Sequence, residues 1–163
     1  MKLTLNKSKS LAKKYLANKK TLENEFLFSH AKSVVEVIEI LSKILKLNKN
    51  EMSIRAWVQD IGHSVNNFKP HQENSIELLN KEGITLSKTD LDCILNHVRG
   101  GSPETIEGKA MQIADKLSIL NIDFLKMILS NGKIEQNEMD FAKSMSKGSI
   151  KQLKELKKLL DKS

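Results

Sequence analysis

The chain has 163 residues, of which 39% are hydrophobic and 29% charged, and a formal net charge of +7, which is typical of one globular domain and not of a disordered chain. Its one cysteine, Cys93, excludes an intramolecular disulfide and any C-x-x-C metal or redox motif. No run comes near the roughly 18 apolar residues of a membrane-spanning helix, and no apolar core follows the basic N-terminus, so we expect a soluble, cytoplasmic protein with neither a membrane partner nor a secretory signal.

Helical periodicity dominates the sequence, which contains only seven glycines and two prolines. Apolar residues recur at the i, i+3, i+4 spacing of amphipathic helices, and no segment has the alternation of a half-buried strand. The predicted helices cover residues 7–20, 22–47, 53–62, 72–82, 87–98, 102–129, 135–145 and 148–161. The pattern therefore predicts an all-α fold.

Several helix ends have recognisable boundary residues. We expect Ser53 to cap the third helix and Gly62 to end it. Ser87 and Asp90 have the spacing of a capping box, with Asp90 and the nearby Asp92 interpreted as first-turn acids. Ser102-Pro103-Glu104 predicts the start of the next helix, because it combines a cap, an N1 proline and an early acid.

Lysines concentrate at the two ends of the chain. Residues 1–20 and residues 143–163 carry seven lysines each, whereas residues 21–142 have a net charge of −5. Nucleic-acid binding would therefore involve the ends and not the central region. Because the apolar residues of the last segment share one helix face, we favour basic helices that pack on the domain, with nucleic-acid binding as the less favoured alternative.

Several polar residues lie where a surface helix would not need them. The four histidines are each inside or at the edge of an apolar helical segment, Gln59-Asp60 lies between Val58 and Ile61, and Asp115 interrupts the apolar run Met111–Leu117. A buried carboxylate or imidazole is costly unless it is paired, hydrogen-bonded or bound to a metal. These groups on separate helices predict one convergent polar site.

The polar residues form an ordered series along the chain: His30, Asp60-Ile61-Gly62, His71, Asn96-His97 and Ala114-Asp115-Lys116-Leu117-Ser118. This series resembles the HD-domain superfamily, whose members are metal-dependent phosphohydrolases named after an adjacent His-Asp pair. The resemblance covers residues 22–129 and implies an HD-domain-like bundle of about six to eight helices. Residues 1–21 would then form a basic N-terminal helical segment, and residues 130–163 lysine-rich C-terminal helices packed on the same domain.

The resemblance also implies a set of metal ligands. One divalent metal ion would be held by His30, Gln59, Asp60 and Asp115, and a second by His71 and His97. The ion is not specified, and Mg, Mn, Fe, Ni and Co stay open. A metal bound by these residues would activate water, with Asp60 as the catalytic residue that both binds the metal and orients the water.

Gln59 departs from the family pattern, because it occupies the place of the histidine in the His-Asp pair. An amide oxygen suits Mg²⁺, Ca²⁺ or Mn²⁺ better than Zn²⁺ or iron. The resemblance therefore favours a metal-dependent phosphohydrolase acting on a small phosphorylated molecule, in particular a nucleotide. The alternative is a catalytically degenerate HD domain that binds a nucleotide or a protein partner.

Two further residues are candidates for substrate binding. Arg99 follows His97 by two residues, and it can either bind phosphate or lie in a solvated loop. His63 can contact the substrate, ligate the metal or lie at the rim of the site, and substrate contact is preferred to metal ligation. We interpret Gly100-Gly101 as a helix connection in preference to a phosphate cradle, although the helix start after it could bind an anion.

Overall fold

A computed structural model describes residues 1–17, 22–120 and 136–160 of the chain. In these ranges it contains seven α-helices and no strand, which confirms the all-α prediction: α1 Leu5–Leu16, α2 Leu22–Ile44, α3 Lys49–Val58, α4 His71–Lys81, α5 Lys88–Leu95, α6 Ile106–Leu117 and α7 Gln136–Leu160. Short 3₁₀ helices cover Ile61–Ser64 and Ser118–Leu120. None of the helices in the described part of the chain combines the length and apolar character that a membrane span requires.

Helix α2 lies against α1, α3 and α6, and α7 packs on α6. All seven helices contribute buried apolar residues to one core, among them Leu11, Leu16, Val34, Ile38, Met52, Val58, Leu79, Ile94, Met111 and Leu156. Both basic segments thus carry a buried apolar face, as the periodicity predicts for helices that pack on a domain.

Helix α3 begins and ends earlier than predicted. Its N-cap is Asn48, and Ser53 lies inside the helix, where its hydroxyl donates to the carbonyl of Lys49 at 2.9 Å. The α-helix ends at Val58, so Gly62 is part of the 3₁₀ helix that follows. The prediction of Ser53 as cap and Gly62 as helix end was wrong. Ser53 bonds a carbonyl inside the helix and Gly62 allows a close backbone contact, and in the sequence alone both residue types are also typical of helix ends.

Helix α5 begins as predicted, with a complete capping box between Ser87 and Asp90. Helix α6 begins later than predicted, because Thr105 and not Ser102 is its N-cap. Asp92 explains the difference, since its carboxylate accepts hydrogen bonds from the backbone N–H groups of Glu104 and Thr105 and holds this stretch in a non-helical conformation. Asp92 is therefore a loop anchor and not a first-turn acid.

The C-terminal helices also differ from the prediction. Helix α7 is continuous from Gln136 to Leu160, through the break that was expected before Gly148. Helix α6 ends at Leu117 and a 3₁₀ turn follows to Leu120, whereas the remainder of the predicted helix to residue 129 lies outside the described residues.

Candidate metal centre

The structure brings together five residues of the predicted site from five different parts of the fold. They are His30 from α2, Asp60 after α3, His71 at the first position of α4, His97 after α5 and Asp115 from α6. Residues separated by up to 85 positions in the sequence are thus in direct contact.

Asp60 lies at the centre of this group and its side chain is only 4% exposed. Its Oδ2 is 3.2 Å from Nε2 of His30, whereas its Oδ1 is 3.1 Å from Nε2 of His97 and 3.4 Å from Nε2 of His71. Each carboxylate oxygen therefore faces a different set of imidazoles.

Two possible metal-binding groups share this carboxylate. In the first, His30 and Asp115 join Asp60, with His30 Nε2 at 3.1 Å from Asp115 Oδ1. In the second, His71 and His97 join Asp60, and their Nε2 atoms are 3.3 Å apart. The ligand atoms of each group all lie within 4.8 Å of one another, which is close enough to surround one cation.

Two of the imidazoles are oriented by hydrogen bonds on their far side. Nδ1 of His97 lies 2.7 Å from the carbonyl oxygen of Ile94, so it must donate there. Nδ1 of His30 lies 3.3 Å from the Ser118 hydroxyl, which itself donates to the carbonyl of Asp115 and therefore accepts from the imidazole. In the neutral ring this leaves each Nε2 as a lone pair directed at Asp60, the orientation that metal-ligating histidines have.

This donor set fits a divalent cation. Lone pairs of imidazole nitrogens and carboxylate oxygens face one another, and a cation between them removes the repulsion. Gln59 adds a second observation, since its side chain is completely buried and neither Oε1 nor Nε2 has a hydrogen-bond partner among the described residues. An unpaired buried amide is costly, and an amide oxygen is a ligand for hard cations.

The charges of the cluster depend on one another. Burial opposes a charge on His30, but its hydrogen bonds with the carboxylates of Asp115 and Asp60 raise the pKa of His30 to about 10. Burial also opposes the charge on Asp60, and the surrounding imidazoles of His30, His71 and His97 nevertheless hold the pKa of Asp60 well below its usual value. The site therefore concentrates negative charge that protons or a metal cation can offset, and the two compete.

A close backbone contact brings α4 to Asp60. The hydroxyl of Ser75 accepts from the N–H of Gly62 at 2.9 Å and donates to the carbonyl of Gln59 at 2.7 Å. A Cβ at Gly62 would lie 1.9 Å from the carbonyl oxygen of His71, so only glycine allows this approach. The first turn of α4 therefore packs directly on the Gln59–Gly62 backbone and places His71 beside Asp60.

A cavity of about 430 Å³ opens over the cluster, and both predicted substrate-binding residues line it. The His63 ring stacks on His71 with 3.9 Å between centroids, and its Nε2 is 4.0 Å from Asp60 Oδ1. His63 is half-exposed, and burial lowers its pKa. Arg99 and Lys116 supply positive charge to the wall of the same cavity.

The start of α6 is not a free anion site. Asp92 already accepts the N–H groups of Glu104 and Thr105, at 3.2 and 2.8 Å, and Thr105 caps the helix by accepting from the N–H of Gly108. A carboxylate of the chain itself thus occupies the position that a phosphate would need. This supports the interpretation of Gly100-Gly101 as a helix connection.

Two polar residues that hydrogen-bond His30 or the backbone beside His97 were not predicted from the sequence. Ser118 appeared only as the end of a motif, although it hydrogen-bonds His30. Gln112 is buried, and its place inside the apolar run before Asp115 was the sequence signal that could have identified it. Ser118 lies in a 3₁₀ turn and Gln112 bonds the loop after α5, and helical periodicity does not predict the path of a turn or a loop.

An all-α bundle in which three histidines and two aspartates from five separate parts of the fold converge defines a candidate divalent-metal centre. The chain is similar to a curated deoxyguanosinetriphosphate triphosphohydrolase-like protein of Caldanaerobacter subterraneus subsp. tengcongensis, with 29% identity over 58% of this chain and 33% of the relative. The match thus spans about a third of the length of that relative. No protein-family model and no solved structure matches the chain. The similarity is that of a distant homologue, and it agrees with the HD-domain resemblance of the motifs.

Proposed function

We propose that the chain is a divalent-metal-dependent phosphohydrolase that acts on a small phosphorylated molecule, a nucleotide. The observation that carries this proposal is the shared carboxylate of Asp60, one oxygen of which faces His30 and the other His71 and His97. The name of the distant homologue, a triphosphohydrolase-like protein, supports the reaction class. The cavity over the cluster has the size of a small-molecule site.

The metal would be held by His30, Asp60, His71, His97 and Asp115, with the buried amide of Gln59 as the further ligand that the family resemblance implies. When bound, a divalent cation makes water a stronger acid and offsets negative charge on a phosphoryl oxygen. Asp60 is ionised at neutral pH because its pKa is low, so its carboxylate can accept a hydrogen bond from water and orient it.

Different residues of the cavity wall suit different parts of a phosphorylated substrate. Arg99 and Lys116 provide positive charge for a phosphate group, and Arg99 can bind two phosphate oxygens at once. The His63 imidazole lies on the cavity side of His71, where it contacts the substrate. Phe26 and Leu27 line the apolar side of the cavity, which suits the non-phosphate part of a nucleotide.

A substrate screen tests this proposal. Purified protein is assayed with nucleoside mono-, di- and triphosphates and a generic phosphoester in the presence of Mg²⁺, Mn²⁺, Co²⁺ or Ni²⁺. We expect turnover that a chelator abolishes and added metal restores. An absence of turnover with every metal, in protein whose circular dichroism shows an intact helical fold, would contradict the proposal.

The second candidate is a degenerate HD domain that binds a nucleotide or a protein partner without catalysis. Gln59 favours it, because this residue has a neutral amide where the family has an imidazole. Elemental analysis of protein purified without chelator separates the candidates. Stoichiometric transition metal favours the phosphohydrolase, whereas metal-free protein that binds a nucleotide without hydrolysing it in any added metal favours the degenerate domain.

A further inference from the structure

The segment between α5 and α6, residues 96–105, carries two residues of the site, the candidate ligand His97 and the cavity residue Arg99. We propose that Gln112, on α6, is the positioning residue that holds this segment and thereby sets the places of His97 and Arg99. The proposal deepens the proposed function and rests on it. Gln112 does not line the cluster as a ligand, so its effect is transmitted through the backbone.

The side-chain amide of Gln112 donates hydrogen bonds to the backbone of the segment. Its Nε2 lies 3.0 Å from the carbonyl oxygen of Asn96, 3.1 Å from that of Val98 and 3.0 Å from that of Gly101. The side chain is 7% exposed, so water does not readily replace these bonds. One buried amide therefore gathers three carbonyls, two of which belong to Asn96 and Val98, the residues on either side of His97.

Asp92 binds both ends of the same segment. Its carboxylate accepts from the side-chain amide of Asn96 at 2.8 Å and from the N–H groups of Glu104 and Thr105. The segment is thus attached at Asn96 by two buried side chains, one from α5 and one from α6. Between Asn96 and Glu104, the carbonyl oxygens of Val98 and Gly101 accept from Gln112, and that of Val98 also accepts from the N–H of Gly101 at 3.1 Å.

The segment turns back sharply on itself around Gln112. Gly100 has a φ of +88°, a conformation that glycine adopts without strain. A Cβ at Gly101 would lie 2.5 Å from the carbonyl oxygen of Asn96, so the two ends of the turn touch. Without the Gln112 amide, the carbonyl oxygens of Asn96 and Gly101 would lose this donor in a buried turn, and the turn would open to reach water.

A matched pair of substitutions tests this role. Gln112→Met keeps the length of the side chain and removes the donors, and the control Lys158→Met introduces the same residue at an exposed position near the end of α7. In metal-free protein we expect faster hydrogen exchange at residues 96–105 in Gln112→Met only. We also expect Mn²⁺ affinity, measured by calorimetry, to fall about 10-fold, as for other residues that orient metal ligands.

The kinetic expectation separates positioning from a general loss of stability. With saturating metal, Gln112→Met should raise KM for a phosphorylated substrate by about 5-fold through Arg99 and change kcat by less than about 2-fold. Unchanged exchange at residues 96–105 together with unchanged Mn²⁺ affinity would overturn the inference. If the parent protein binds no metal and hydrolyses nothing, the proposed function fails, whereas the exchange experiment still decides whether Gln112 holds the segment.

Gly101→Ala provides a second test that leaves Gln112 in place. Its added Cβ should displace the turn from Asn96, so we expect the same pattern of faster exchange, weaker Mn²⁺ binding and raised KM. If Gln112→Met protein does not fold, Gly101→Ala decides the question alone. Parent-like Mn²⁺ affinity in a folded Gly101→Ala protein would then overturn the inference.

Discussion

Two regions of the molecule each gather several side chains around one carboxylate. They differ in whether those side chains are hydrogen-bond donors to the carboxylate. At the contact of α1 with the end of α4, Glu82 accepts from Lys7 at 3.1 Å, from Tyr15 at 2.9 Å and from Lys14. Every partner of Glu82 brings a hydrogen atom. At the candidate metal-binding cluster, Asp60 faces the Nε2 atoms of His30 and His97, which carry lone pairs and no hydrogen when these rings are neutral.

The difference shows that convergence alone does not identify a functional site. The Glu82 group is complete with the atoms of the chain, so it fastens α1 to α4 and requires nothing further. The Asp60 group is complete only with added positive charge, either protons on its histidines or a bound cation. The comparison therefore predicts that only the second group responds to metal.

The largest expected effect is that of Asp60→Ala. We expect it to abolish metal binding and to lower any phosphohydrolase activity by at least about 1,000-fold, while the helical circular dichroism is retained, because the substitution removes the carboxylate that both groups share. Glu82→Gln is the matched control and should stay within about 2-fold of the parent activity. Parent-like metal binding and turnover in Asp60→Ala would show that the site assignment is wrong.

Gln59→His should strengthen metal binding at the Asp60 group and so increase its difference from the Glu82 group. An imidazole in place of the amide adds a ligand that suits transition metals, so we expect Co²⁺ or Ni²⁺ to bind at least about 10-fold more tightly. The measurement is a calorimetric titration of metal-free protein. No gain in affinity, in a folded variant, would indicate that the side chain at position 59 does not reach the metal groups.

Gly62→Ala should separate the two ends of α4, since His71 at its start belongs to one region and Glu82 just beyond its end to the other. The added Cβ would overlap the His71 carbonyl, so we expect a loss of about 2–3 kcal/mol in the free energy of unfolding by urea, together with weaker metal binding. Gly148→Ala on α7 is the control, because no atom lies within 4 Å of its added Cβ and the helix should become slightly more stable. Equal stability of the two variants would contradict the close contact.

The smallest effect is expected for Glu82→Gln, with less than about 1 kcal/mol of stability lost near pH 7 because the group is partly exposed. Its lysine and tyrosine partners lower the pKa of Glu82 from 4.5 to about 2. As the pH falls from 4.5 toward 2, the unfolded chain binds the proton first, so the stabilisation is complete above this window and disappears within it. Urea unfolding across this range should show the parent and variant curves converging at low pH, and a constant difference would exclude the carboxylate as its source.

The sequence predicted the helices better than their ends. Apolar periodicity located α2 and α4 closely, because each buries one continuous face. The ends of α3 and α6 were missed, because several residues in each stretch can act as caps and tertiary contacts choose among them. At α6, Asp92 selects Thr105 over Ser102 by binding the backbone between them.

Polar residues inside apolar helical segments predicted a convergent site, and the family resemblance predicted its metal ligands. The order of His30, Asp60, His71, His97 and Asp115 was sufficient to name the residues that the structure brings together. Their supporting residues could not be named in this way. Ser118 and Gln112 act on backbone atoms or on the far side of an imidazole, and such contacts leave no fixed spacing in the sequence.

The close contact at Gly62 limits which residues this position can accept during evolution. Its demand for glycine comes from the carbonyl oxygen of His71 and the backbone nitrogen of Ser75, which would lie 1.9 and 2.5 Å from an added Cβ. Both atoms belong to α4, and their packing needs no metal. A lineage that lost its metal would still be held to glycine at this position. Gly62 is therefore required by the packing of α4 on the segment after α3, with or without a metal.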